Sequence, residues 1–327
     1  MDDVIDGAVR AMLRELNAGF PRVETMTAAA ARAAVAQRRV PANNIEDVRS
    51  AIDHAVPGPA GTIPVRIYHP HGELSGPLFG RPGIVFYHGG GFVFCDIESH
   101  DSFCRALARG SQAVVVSVGY RLAPEDPAPA AALDAFAAFC WVIEHAAGLG
   151  IDPARTAIGG DSAGGNLAAV TAILCRDRGV AKPAAQLLLY PAIDPSFETD
   201  SYHRYGTGCL NTRAAMQWYW HQYLGSEGLG GERIVDPPYL VAPARADSHT
   251  DLPPAVIVTA GLDPLHSEGC DYARRLCHAG VPVVHRDFPG LFHGFMTIQS
   301  FPPAASARDV VCGDLRGLLR PALCESK

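Results

Sequence analysis

Lysine is almost missing from this chain of 327 residues: Lys182 and Lys327 are the only two among 27 basic residues, against 34 acidic ones. A formal net charge of −7 and charges of both signs scattered along the chain leave no basic stripe, which excludes the usual electrostatic footprint of a nucleic-acid binder. Paired cysteine motifs are lacking too. The nine cysteines, at 95, 104, 140, 175, 209, 270, 277, 312 and 324, are odd in number, widely spaced and without a Cys-x-x-Cys pair. Neither a disulfide framework nor a zinc site is expected, and buried free thiols are. No segment approaches the roughly 18 uninterrupted apolar residues of a membrane span. The opening MDDVIDGAVR carries Asp2 and Asp3 where a secretory leader carries positive charge. These absences predict a cytoplasmic protein with no membrane span. Internal repeats and low-complexity tracts are also missing.

What is present is ample apolar material, 48% of residues, enough for a packed core in one large α/β domain or two ordinary ones. Val4, Ile5, Ala8, Val9, Met12, Leu13 and Leu16 recur at helical spacing, with acidic residues in the opening turn and Gly19 and Pro21 at the stop. Thr27 can cap a second, alanine-rich helix that must end before Pro41. From about residue 45 the pattern changes to short β-rich runs: DVRSAIDHAV, TIPVRIYHP and GIVFYH. Strands and helices then alternate, through AVVVSVGY, a helix over ALDAFAAFCWVIEHAAG, RTAIGG, a helix over AGGNLAAVTAILCRDRG, AAQLLLYP, PAVIVTAG, a helix through YARRLCHAG, PVVHRDFP and a final helix. Eight strands in this order predict an α/β fold with a mostly parallel sheet, helices on both faces and the opening hairpin antiparallel at one edge. About sixty residues between Tyr190 and Ala255, with the aromatic run WYWHQY, are too long for a simple connection. They read as a helical insertion that forms a cap together with the N-terminal helices. The expected division is cap helices over 1–44, core over 45–194, cap insertion over 195–250 and core again over 251–327.

Two stretches carry chemistry. In IGGDSAGGN, Gly160-Asp161-Ser162-Ala163-Gly164 fits G-x-S-x-G between a strand and a helix, where small flanking residues permit a sharp turn that exposes the serine hydroxyl. A serine hydroxyl is a weak nucleophile and needs a base, itself oriented by a third group. Asp263 follows the strand PAVIVTAG and His293 follows PVVHRDFP, in the chain order Ser, Asp, His that such a sheet requires. Glu268 and Asp271 compete for the acid role but fall within the next helix, and Asp287 falls within a strand. The other stretch, YHGGGFVF, places three glycines directly after a strand. Glycines let backbone and substrate approach closely, and the amides of Gly89, Gly90 and Ala163 are assigned to an oxyanion hole. His88 is expected to brace its own loop. Phe92, Phe94, Trp218, Tyr219 and Phe295 are candidate pocket walls. Cys95 lies beside the glycine run, where a packed, inert thiol is the expected reading and sensitivity to thiol reagents the alternative.

Taken together and in order, HGGGF (88–92), YRLAPE (120–125), GDSAGG (160–165), DPL (263–265) and HGF (293–295) resemble the motif set of the bacterial hormone-sensitive-lipase family of α/β-hydrolase esterases. The resemblance runs from about residue 60 to 300. It implies the α/β-hydrolase fold, a serine carboxylesterase acting on short to medium acyl esters of small molecules, a helical cap, no metal or cofactor, and in many members a homodimer. One departure is visible: Arg-Asp-Glu often follows DPL in that family, whereas His266-Ser267-Glu268 follows here. Amide hydrolysis or acyl transfer by the same triad remains an alternative, as does a ligand receptor on this fold, against which the retention of Ser162, Asp263 and His293 together argues.

Overall fold

The computed structural model describes residues 6–72, 80–225 and 235–321. Its centre is one eight-stranded sheet in the order β1-β2-β4-β3-β5-β6-β7-β8. Strands β1 (Val48–Gly58) and β2 (Gly61–Pro70) form an antiparallel hairpin, closed by the pairing of Gly58 with Gly61, and β2 runs antiparallel to β4 (Val114–Val118). From there the sheet is parallel through β3 (Arg81–Tyr87), β5 (Ile151–Asp161), β6 (Gln186–Leu189), β7 (Ala255–Leu262) and β8 (Val283–Phe292). The antiparallel edge and parallel body match the expectation from the alternating strands and helices.

Parallel strands joined by helices are covered on both faces, so they can be apolar at every position. In β3 this shows residue by residue: Val85 and Tyr87 enter one buried cluster while Ile84 and Phe86 enter the other. The first cluster is completed by helices α2 (Ala28–Ala36), α4 (Ala130–Glu144), α5 (Ala163–Asp177) and α8 (His266–His278), the second by α1 (Gly7–Gly19), α3 (Asp101–Ser111) and α9 (Pro302–Leu318). Truncating a fully buried ring such as Phe86 to alanine costs roughly 3–5 kcal/mol, because the rigid sheet cannot collapse into the cavity.

The head of α2 follows its expected cap, whereas α1 begins at Gly7 with a cap, Asp6, that the spacing did not predict. Thr27 Oγ1 accepts from the amide of Ala30 at the head of α2, and Asp6 Oδ1 accepts from Ala8 at the head of α1. Val4 and Ile5 of the first apolar stripe lie outside the described residues. The long stretch between β6 and β7 holds α6 (Asp200–Tyr205) and α7 (Arg213–Leu224), the latter carrying the aromatic run. It is tied to the N-terminal segment through Asn17, whose side chain donates to Gly208 O and accepts from the amide of Leu210. Arg32 on α2 reaches the other way, donating to the carbonyls of Val93 and Ala123 and to Glu125 Oε1 at 2.8 Å.

Candidate active site

Sheet register explains why distant residues converge. Tyr87 pairs with Gly160, Asp161 with Leu189, and Leu262 with Phe292. The next residues in each chain, His88, Ser162, Asp263 and His293, therefore leave the sheet at the same carboxyl-terminal edge, where open α/β sheets bind their ligands. Strand β8 is longer than the pattern PVVHRDFP suggests. It continues to Phe292, so His293 stands immediately past a strand end.

Ser162 sits between β5 and α5 with φ of 55° and ψ of −117°. A non-glycine residue held at positive φ on a strand-to-helix turn is strained, and strain of this kind persists where surrounding structure over-determines it. Two glycines make the turn fit: a Cβ on Gly164 would lie 1.9 Å from Tyr87 O, and one on Gly160 would lie 2.3 Å from Gly164 itself. The hydroxyl so presented lies 3.0 Å from His293 Nε2. On the other side of the ring, Nδ1 lies 2.7 Å from Asp263 Oδ2. With Nδ1–H donated to the carboxylate, Nε2 is left as the acceptor for the serine proton. Asp263 is fully buried, and its second oxygen accepts from the amide of Leu265 at 2.9 Å. Two hydrogen bonds thus fix the carboxylate and hence the ring plane.

The rival acids are occupied elsewhere. Glu268 is buried, accepts from the amide of Ile193 at 2.7 Å, and burial pushes its carboxyl well above the ordinary range, which disfavours the charged form that would pair with an imidazolium. Asp271 pairs with Arg274, and Asp287 lies on β8 against His266.

The glycine loop differs from expectation at one donor. The amide of Gly89 is not free: it donates to Asp161 Oδ1 at 2.9 Å, and the same oxygen lies 3.1 Å from His100 Nε2. Burial alone would raise the Asp161 carboxyl, but the adjacent His100, and then His88 and the Gly89 amide, hold it below the ordinary carboxylate value. An N–H has one proton to give, so Gly89 is a brace and not an oxyanion donor. The amides of Gly90, Gly91 and Ala163 meet no acceptor among the described residues. Sequence reading missed Gly91 and the part played by Asp161, His100 and Arg32. The acidic residue directly before Ser162 was the available signal. His88 braces the loop as expected, lying 2.7 Å from Gly89 O and stacked on Tyr120 at 4.3 Å, and burial lowers it to about 4, which keeps it neutral.

Of the candidate pocket walls, Phe92 and Phe295 belong to the packed interior. Phe92 stacks on Tyr223 at 3.8 Å and Phe295 packs against Tyr190 and Phe288, both rings being almost wholly buried. Phe94, Trp218 and Tyr219 form an edge-on aromatic set, and the Tyr219 ring lies against Gly91. Burial pushes the Cys95 thiol up to about 12, as expected of a packed, inert cysteine. No group of three or more histidines, cysteines or carboxylates suited to a metal is found among the described residues, and no described helix is long and apolar enough to cross a membrane.

Comparison with known proteins identifies the family. Residues 84–297 match the Abhydrolase_3 family, described as alpha/beta hydrolase fold. Carboxylic ester hydrolase LipN of Mycobacterium tuberculosis is 46% identical over 253 residues, spanning 75% of this chain and 64% of that protein's length, so the match covers less than two thirds of LipN. Ethyl acetate hydrolase of Pseudomonas putida is 38% identical over 73% of each chain. Among solved structures, an ester hydrolase from the metagenome of Lake Arreo, complexed with a derivative of bipyridine phosphonate, superposes with a TM-score of 0.87 at 37% identity, covering 96% of this chain and 99% of the other. Fold, strand-end geometry and sequence likeness converge: this chain belongs to the hormone-sensitive-lipase family of carboxylic ester hydrolases with the α/β-hydrolase fold.

Proposed function

We propose that the protein hydrolyses short to medium acyl esters of small molecules through an acyl-enzyme on Ser162. The observation that carries this reading is the continuous chain from Ser162 Oγ to His293 Nε2 at 3.0 Å and from His293 Nδ1 to Asp263 Oδ2 at 2.7 Å. Ser162 Oγ attacks the ester carbonyl while His293 Nε2 takes its proton. Asp263 keeps the ring in the required tautomer and stabilises the imidazolium. The carbonyl oxygen becomes negative in the tetrahedral intermediate, and the amides of Gly90, Gly91 and Ala163 are the donors available to it. Each such preorganised donor contributes on the order of 3 kcal/mol of barrier lowering. His293 then protonates the leaving alcohol, and water repeats the sequence on the acyl-enzyme.

Size selection belongs to the aromatic set above the glycine loop. Phe94, Trp218 and Tyr219 come from the loop and from α7, so the reading assigns α1, α2 and the described part of residues 195–250, of which 226–234 lie outside the described residues, to a cap that bounds the acyl group. Ethyl acetate hydrolase among the relatives is consistent with a short acyl chain. Initial rates on p-nitrophenyl esters from acetate to palmitate test the proposal. A maximum at short acyl chains that shifts to longer ones in Tyr219→Ala is expected, and an optimum at palmitate, unmoved by that change, would overturn it.

A further inference from the structure

Helix α8 and strand β8 bring together reactive side chains that the triad does not use. Cys270 and His266 stand four residues apart on α8 and therefore on one face, with Sγ 3.6 Å from His266 Nε2. His285 and Asp287, two apart on β8, share the strand face that meets them. His266 Nε2 lies 3.0 Å from Asp287 Oδ1. Thr259 on β7 ties the strand side together, donating to Asp287 Oδ1 at 2.8 Å and lying 2.9 Å from His285 Nε2. Thiol and carboxylate thus meet the same ring nitrogen, His266 Nε2, so the imidazole sits as a shared cationic partner between the sulfur and Asp287 and not as a relay through both ring nitrogens. The cluster is half-buried, with the His266 side chain 28% and that of Asp287 38% exposed, so small solutes can reach it. Its first member, His266, is the residue that replaces the arginine common after DPL.

The ionisable groups facing Cys270 are His266 on its own helix and His285 on β8, with Asp287 acting through His266. From β7 comes only the Thr259 hydroxyl, and α6 meets this end of α8 through Ser201 and Ser267. Burial works against a thiolate here, but hydrogen bonding from His266 and His285 outweighs it and brings Cys270 down to about 6. In return Cys270, with Asp287, holds His266 up to about 9. The cysteines at 95, 104, 140, 175, 209 and 312 are pushed the other way by burial.

We propose that Cys270 is a modification site, a nucleophilic sulfur held beside the His266 imidazole that is oxidised by hydroperoxides. The thiolate sulfur attacks the terminal peroxide oxygen; the S–O bond forms as the O–O bond breaks. Sulfur loses two electrons to the peroxide and becomes a sulfenic acid. The proton on His266 passes to the departing hydroxide or alkoxide, which leaves as water or alcohol, and the imidazole ends neutral.

Competitive labelling of the folded full-length protein with iodoacetamide, read by peptide mass mapping, tests the thiolate, and hydrogen peroxide followed by dimedone tests the oxidation. Exposed Cys277 on the same helix is the internal reference. Near pH 6 a thiol of pKa about 6 is half ionised and one of pKa about 8.5 is ionised to about 0.3%. After discounting the weaker nucleophilicity of the more acidic thiol, Cys270 should react about tenfold faster than such an ordinary thiol. We expect Cys270 to label faster than Cys277 near pH 6, a labelling midpoint for Cys270 near pH 6, dimedone on Cys270, and a midpoint raised by more than one pH unit in His266→Asn. If that variant fails to fold, His285→Asn serves as the second arm and should move the midpoint in the same direction. Cys270 labelled no faster than Cys277 near pH 6, or no dimedone adduct at Cys270, would overturn the proposal.

Discussion

Alanine at Gly90 is the perturbation that separates a donor role for this loop from a merely tight turn. The added Cβ would lie 2.2 Å from Phe94 O and 2.8 Å from its carbonyl carbon, on a backbone with φ of +108°. Reaching ordinary van der Waals separation requires the atoms to part by about 1 Å. The carbonyl of Gly90 accepts from the amides of Val93 and Phe94, so the loop cannot yield without turning its own amides. A displacement of about 1 Å takes an amide out of hydrogen-bond range of an oxyanion, and one lost donor lowers kcat by about 10²–10³-fold, equivalent to about 3–4 kcal/mol. The φ strain adds roughly 1–3 kcal/mol of destabilisation, seen as a lower Tm. Steady-state hydrolysis of p-nitrophenyl acetate, run well below the variant's Tm and with circular dichroism as the check on folding, reads the two effects apart. KM should change little while kcat falls at least a hundredfold. A folded Gly90→Ala protein with kcat within threefold of the parent would refute the assignment.

Two further outcomes follow from the same geometry. Asp263→Asn keeps the shape but removes the charge and favours the wrong imidazole tautomer, so kcat should fall about 10⁴-fold with Tm nearly unchanged, measured by ester hydrolysis and thermal melts. Glu268 has its carboxyl raised by burial, so its contribution to stability is full below the ordinary value of 4.5 and declines as pH rises through the folded value. Glu268→Gln should therefore flatten the fall in Tm as pH rises above about 5, and an unchanged Tm profile would contradict the raised carboxyl.

Ser162, Asp263 and His293 were legible in the sequence because a parallel sheet converts chain order into place. Three strand ends at neighbouring registers deliver three side chains to one edge, and strand ends can be located from apolar runs and glycines. The capping residue Thr27 was similarly local. The occupation of the Gly89 amide was not legible, since its partner Asp161 is 72 residues away and the choice between Gly89 and Gly91 depends on how the loop turns in space. Phe92 and Phe295 show the same limit: an aromatic residue beside a motif can face a substrate or a neighbouring ring, and only packing against Tyr223 or Tyr190 decides. The Cys270 cluster depends on β8 lying beside α8, which spacing along the chain does not reveal.

The central claim is the covalent intermediate. Rapid mixing with p-nitrophenyl acetate, acid quenching and peptide mass mapping measure it directly. The account predicts a burst of p-nitrophenol with an acetyl group on the peptide containing Ser162, and neither in Ser162→Ala. Full turnover by folded Ser162→Ala, or acetyl found only on another residue, would contradict it.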